Sequence, residues 1–452
     1  MTLSTRTRPR LAGALGLGVA AALLAACGQS GDAAAEPSAT TEETAAPAAT
    51  EVATAKPRLA LTYDGGIQVL DADTLEVVSD IELAGFNRLN PAGDERHVLV
   101  STTGGFQVLD AGTWTEPHGD HTHSFTGEPV LTDVLWPAEK PGHAVRHEGR
   151  TALFDDGTGQ VTVVDSDALA DPDAATRDYT TPSAHHGVAV ELTDGTLVVS
   201  EGDEDARTGV RVLDAENTEI AAIDTCPGVH GEAVAADEAV VIGCEDGAVI
   251  WSGGALTKVT APDAYGRIGN QAGSEASPYV LGDYKSDPDA DLERPTRVSL
   301  IDTRDASIRL VDLPASYTFR SLARGDAGEA LVLGTDGALH VIDPESGTVV
   351  RSVPVIDAWE EPEEWQQSRP AITVLDGSAY ITDPATSSVH AVDVETGEVW
   401  LSAELEVTPN EIAGVSGAVA EHGADEHGEH GEHGEHGDED HDHAHEDEGA
   451  EG

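Results

Sequence analysis

Asp64-Gly-Gly-Ile-Gln-Val-Leu-Asp71 returns as Gly104-Gly-Phe-Gln-Val-Leu-Asp110, and the pair decides the fold. Related copies follow at Gly159-Gln-Val-Thr-Val-Val-Asp165, Gly209-Val-Arg-Val-Leu-Asp214, Asp246-Gly-Ala-Val-Ile-Trp251 and Arg297-Val-Ser-Leu-Ile-Asp302. Gly337-Ala-Leu-His-Val-Ile-Asp343 and Ser388-Val-His-Ala-Val-Asp393 end the series. The spacing of roughly 40–50 residues is that of a four-stranded propeller blade. In each copy glycine suits a turn, alternating apolar residues suit a half-buried strand, and the last Asp suits a turn onward. A second apolar run precedes each copy, as in Leu331-Val-Leu-Gly-Thr-Asp-Gly337 or Thr196-Leu-Val-Val-Ser200. The two runs read as the middle strands of a blade. The expectation is an all-β propeller over residues 58–416 with eight blades, seven being the alternative count. Ring closure leaves no long exposed edge. The repeat is too long for a β-helix coil and too often repeated for one sandwich.

Outside the repeat, residues 1–26 combine Arg6, Arg8 and Arg10 with an apolar run from Leu11 to Ala26. That run is shorter than the roughly 20 residues a membrane span needs. The pattern is that of a secretory signal peptide. Leu24-Ala25-Ala26-Cys27-Gly28 resembles a bacterial lipobox, which makes Cys27 the expected lipidation site. Residues 27–57, built from Ala, Glu, Thr and Pro, read as a disordered linker to that anchor. The expected location is the outer face of the cytoplasmic membrane, reached through the lipid alone.

With 84 acidic and 24 basic residues the chain carries a formal charge of −60. Nucleic-acid binding needs the opposite balance; an excess of acid favours cations and solubility. Once Cys27 is given to lipid, Cys226 and Cys244 remain. An even pair in an oxidising compartment usually forms a disulfide, with a two-cysteine metal site as the alternative.

The 19 histidines carry the chemistry. Aligned on the first strand of three consecutive blades, His143, His186 and His230 share one repeat position, which should bring them together near the channel mouth. Three imidazoles with a water or carboxylate make a tetrahedral zinc set. His118-Gly-Asp-His121-Thr-His123 lies in a long connection read as falling between blades two and three. His121 and His123 would project to one side of a strand, to reach the same ion or to cover the channel. Asp120 is a candidate ligand or outer acceptor, and His147 and His185 complete the candidate set. His97, His340 and His390 read as structural. Residues 417–452 form a separate tract with His422, His427, His430, His433, His436, His441, His443 and His445 among Asp, Glu and Gly. It is expected to stay disordered and to capture divalent ions loosely. Such ligands suit zinc first, then nickel or copper.

The histidine segment 118–123, Pro141-Gly-His143 through His147-Glu-Gly149, His185-His186-Gly-Val-Ala189 and Cys226-Pro-Gly-Val-His230-Gly-Glu232 together resemble the AztD-type zinc metallochaperones. The resemblance covers residues 58–400. It implies an extracytoplasmic propeller that binds zinc and hands it to the solute-binding protein of a zinc ABC importer. It also implies that zinc ligands lie among these histidines and that Cys226 and Cys244 form a disulfide. Two departures are the C-terminal place of the His-rich tract and the lipid anchor.

A monomeric zinc chaperone without enzymatic activity is therefore the leading expectation. The alternatives are a metal-dependent hydrolase, with Glu148, Glu191 or Glu232 as candidate bases, and a surface scaffold with a metal-buffering tail. The chain contains no Ser nucleophile motif, P-loop or dinucleotide fingerprint.

Overall fold

Each copy of the repeat is the third strand of a four-stranded antiparallel sheet in the computed structural model, which describes residues 49–420. The described residues form eight sheets of this pattern, one of them joined by a short fifth strand. The apolar run before each copy is the second strand, so the two middle strands are those expected. The protein is an all-β propeller. Ile412–Val415 pairs with Arg58–Tyr63, from Arg58 opposite Val415 to Leu61 opposite Ile412. The last strand thus completes the first sheet. Ile372–Leu375 touches Ile412–Val415, which in turn touches Arg88–Pro91, and the ring closes.

Packing follows from the alternation. Val188, Val190, Val198, Val210, Val212, Val240, Ile242 and Val249 are buried in one cluster between neighbouring sheets. Burying a side chain of this size stabilises by about 1.5–3 kcal/mol, and β-branched residues suit a pleated surface. Glycine at the head of the third strand is required by contact. Gly105 has φ +151°, and a Cβ there would lie 2.0 Å from the Trp136 carbonyl oxygen.

Strand direction defines two faces. The first strand of a sheet starts on the face where the second ends and the third starts. Its own end lies on the opposite face, with the end of the third. His143 lies near the start of Pro141–His147 and His147 at its end. The two are separated by about 13 Å of strand.

Two expectations are corrected. The segment with His118, His121 and His123 does not connect two blades. It is inserted within one, between the third strand Gly105–Asp110 and the fourth strand Val130–Pro137. There Thr113–His118 and His121–Thr126 form a hairpin. The segment read as linker also has structure at its end. Thr50–Val52 is a strand paired with His121–Thr126, Glu51 standing opposite Phe125. The open edge of the hairpin offers backbone partners, and Thr and Val favour extended backbone. The lipobox, most of the linker and the His-rich tract lie outside the described residues. Among the described residues no helix is long and apolar enough to cross a membrane.

Candidate metal centre

Three neighbouring sheets bring His143, His186 and His230 together. His186 precedes the first strand Ala189–Glu191, and His230 opens the first strand His230–Ala235. One ligand atom from each ring falls within 4.8 Å of the others. Nε2 of His186 and Nε2 of His230 are 3.1 Å apart. The ring centroids of His143 lie 5.2 Å from His186 and 5.6 Å from His230.

What holds the rings is as telling as their convergence. His143 Nδ1 meets Glu232 at 3.0 Å. His186 Nδ1 meets Asp156 at 2.5 Å. His230 Nδ1 donates to the Gly269 carbonyl at 2.5 Å. Every Nδ1 lies within 3.0 Å of an oxygen, as a hydrogen bond at His186 and His230 and as an ion-pair contact at His143, so the favoured tautomer carries its proton there and leaves an Nε2 lone pair. Outer acceptors of this kind orient metal-binding histidines and raise their basicity. Burial and the neighbouring His143 and His186 push His230 well below the ordinary imidazole range, so its ring is neutral. Burial opposes charge on His143 too, but Glu232 outweighs it and raises that ring. The His186 side chain is 44% exposed, which leaves a path for an incoming ligand.

The disulfide lies beside this centre. Cys226 and Cys244 are bonded, with Cα atoms 5.0 Å apart, and both are fully buried. The bond ties the approach to His230 to the second strand of its own sheet, Ala239–Cys244.

The hairpin histidines form a second group. His118, His121 and His123 also bring one ligand atom each within 4.8 Å. Nε2 of His121 lies 3.1 Å from Nε2 of His123 and 3.4 Å from Nδ1 of His118. His121 Nδ1 meets Asp120 at 3.2 Å, as an outer acceptor would. His118 stands directly opposite His121 in the ladder, and directly opposed residues project to one side. The hairpin leaves from the end of a third strand, whereas His143 lies at the start of a first. The two groups are therefore on opposite faces, and neither one shared ion nor a cover over the first group fits.

Two candidates join neither group. His147 sits at the far end of its strand, buried, with Nε2 3.0 Å from Glu238 and Nδ1 3.5 Å from Glu275. Burial works against its charge, yet the hydrogen bonds to Glu275 and Glu238 raise it. With a carboxylate facing each ring nitrogen, His147 has neither nitrogen turned to a metal. His185 is buried between the Ser183 carbonyl and the Ser200 hydroxyl, each 3.0 Å away. These two contacts turn it back into its blade, away from the neighbouring His186. His97 is held by Asp94, His340 by Ser352 and Asp336, and His390 by Ser388 and Ser402. Sequence reasoning missed Asp156 and Glu51 as acceptors and gave Glu232 no such role. Asp156 follows the second strand of the preceding blade, and no local spacing marks it.

No family model matches the chain. It is 27% identical over 370 residues to the zinc chaperone AztD of Citrobacter koseri, covering 78% of this chain and 85% of that protein. The crystal structure of Citrobacter koseri AztD superposes with a TM-score of 0.69 at 25% identity, covering 80% of this chain and 98% of that one. The apo form of the same protein gives 0.68. The dihydro-heme d1 dehydrogenase NirN shares the fold alone, with a TM-score of 0.51 at 10% identity over 79% of this chain and 75% of its own. In sequence and in fold the chain is similar to AztD over nearly all of the solved protein, and the resemblance read from its histidine motifs is borne out.

Proposed function

We propose that this protein is a zinc metallochaperone that captures zinc outside the cytoplasmic membrane and passes it to the solute-binding protein of a zinc ABC importer. The observation that carries the reading is the convergence of three imidazoles whose Nδ1 atoms all face acceptors. Three nitrogen lone pairs brought together in this way repel one another unless a cation sits between them. Zinc takes three such nitrogens readily and accepts a fourth ligand. The similarity to a zinc chaperone supports zinc over other divalent ions.

Release by ligand exchange needs an open side, and exposed His186 provides one. His118, His121 and His123 make a second, more exposed candidate site. The His-rich tract 417–452 would gather ions loosely, with Cys27 holding the chain at the membrane as a monomer. No catalytic step is required. Hydrolysis would need a free base near the ion, and the candidates are engaged or distant. Glu232 is turned to His143. Glu191 is paired with Arg177 at 2.8 Å. Glu148 follows His147 at the other face.

The test is zinc delivery to the zinc-free solute-binding protein in the presence of a competing chelator. Transfer faster than zinc loss to the chelator alone is expected. Transfer no faster than that loss would reduce the protein to a zinc store.

A further inference from the structure

The hairpin group has a partner from a distant part of the chain. Glu51 lies on Thr50–Val52, whose ladder partner is the histidine-bearing strand His121–Thr126. Glu51 stands opposite Phe125, so its side chain shares the face of Phe125, His123 and His121. The contact follows from that register: Glu51 Oε1 is 2.7 Å from Nδ1 of His123. The same ring presents Nε2 to His121. His123 therefore bridges a carboxylate on one nitrogen and the ligand cluster on the other.

We infer that Glu51 is a positioning residue of a second metal centre, and that a divalent cation held by His118, His121 and His123 fastens the strand Thr50–Val52 to the propeller. The inference borrows only the ion from the zinc reading.

The chemistry runs in one direction. A cation on Nε2 withdraws charge from the imidazole, so Nδ1–H becomes a stronger donor to the Glu51 carboxylate. Without a cation the contact is an exposed pair, with Glu51 61% and His123 36% exposed, and water screens it. The strand has three residues and borders only the hairpin among the described strands, so its docking is marginal. A marginal equilibrium is one that a single strengthened bond can shift. Linkage makes the effect reciprocal: if the ion favours the docked strand, the docked strand tightens the ion by the same factor. The hairpin is joined to the rest of the ring by separate contacts. Thr115 Oγ1 donates to the Gly417 carbonyl at 2.6 Å, and the Arg96 guanidinium lies 4.2 Å over the Trp114 ring. The hairpin thus stays in place whether or not the strand is docked.

Hydrogen exchange on the full chain, with and without zinc, tests this at amides 50–53 and 113–126. Zinc is expected to slow exchange at 50–53 about tenfold. It should do so equally when His143, His186 and His230 are all changed to Ala, which separates this inference from the fate of the central site. H121A/H123A should abolish the effect while amides 113–126 exchange as in the parent without zinc. Glu51→Gln, an exposed change that cannot unfold the hairpin, should abolish most of it and weaken the hairpin site about tenfold, the usual scale for an outer acceptor. Unchanged exchange at 50–53 on adding zinc would overturn the inference. So would protection that survives H121A/H123A, or a Glu51→Gln variant that behaves as the parent.

Discussion

At the scale of single residues, the acceptors behind the histidines matter as much as the histidines. Replacing Asp156 by Asn or Glu232 by Gln keeps the shape and removes the charge that holds Nδ1–H. Each change is expected to lower zinc affinity about 10–100-fold, measured by chelator competition. Protons compete with zinc for the same nitrogens. Because Glu232 raises the His143 ring above its ordinary value of 6.5, affinity should still be rising with pH above that value. Glu232→Gln should move the midpoint of that rise to lower pH. His147 gives a separate test. Its folded pKa is raised, so its contribution to stability is full below the unfolded value and fades as pH rises through the folded one. Thermal denaturation of His147→Gln should show its largest loss at acid pH and converge with the parent at alkaline pH. Equal loss across the range would contradict a charged His147.

The repeat made one level of this legible and hid the next. His143, His186 and His230 stand at equivalent places in three copies, and the ring converts equivalence into proximity. His147 carries the same residue type in the same strand, but strand length puts it at the other face. The acceptors Asp156, 30 residues before His186, and Glu51, 72 before His123, follow from packing between sheets and carry no local pattern.

At the scale of elements, the middle strands were legible because glycine, alternation and Asp recur together. The hairpin within the second blade was misplaced because an insertion after a third strand and one after a fourth look alike in sequence. Thr50–Val52 was hidden among Ala, Thr, Glu and Pro, a composition that gains order only from an edge already present. The disulfide closes a loop with sequence separation 18. Changing Cys226 and Cys244 together to Ser is expected to lower stability by about 3 kcal/mol on the chain-entropy account. It should also weaken zinc binding through His230, which lies four residues beyond Cys226. Denaturant unfolding and zinc titration of the double variant measure the two effects.

At the scale of the whole molecule, the two histidine groups lie on opposite faces of the ring. The described chain end shares the face of the hairpin. Ala420 lines a cavity of about 110 Å³ with Glu95, His147, Glu148 and Glu275. The described chain therefore ends on the face away from His143, His186 and His230. A chain ended at Ala420 keeps every described strand, since the last ends at Val415. Its affinity at the central site should equal that of the full chain, while its total zinc capacity falls.

The most direct test of the account is zinc titration of that shortened chain against a competing chelator. The comparison is with a variant in which His143, His186 and His230 are all Ala. The account predicts one tightly held ion per chain in the parent and its loss in the variant, with any weaker binding at the hairpin unchanged. Tight binding that persists without those three histidines, or that is absent from the parent, would contradict it.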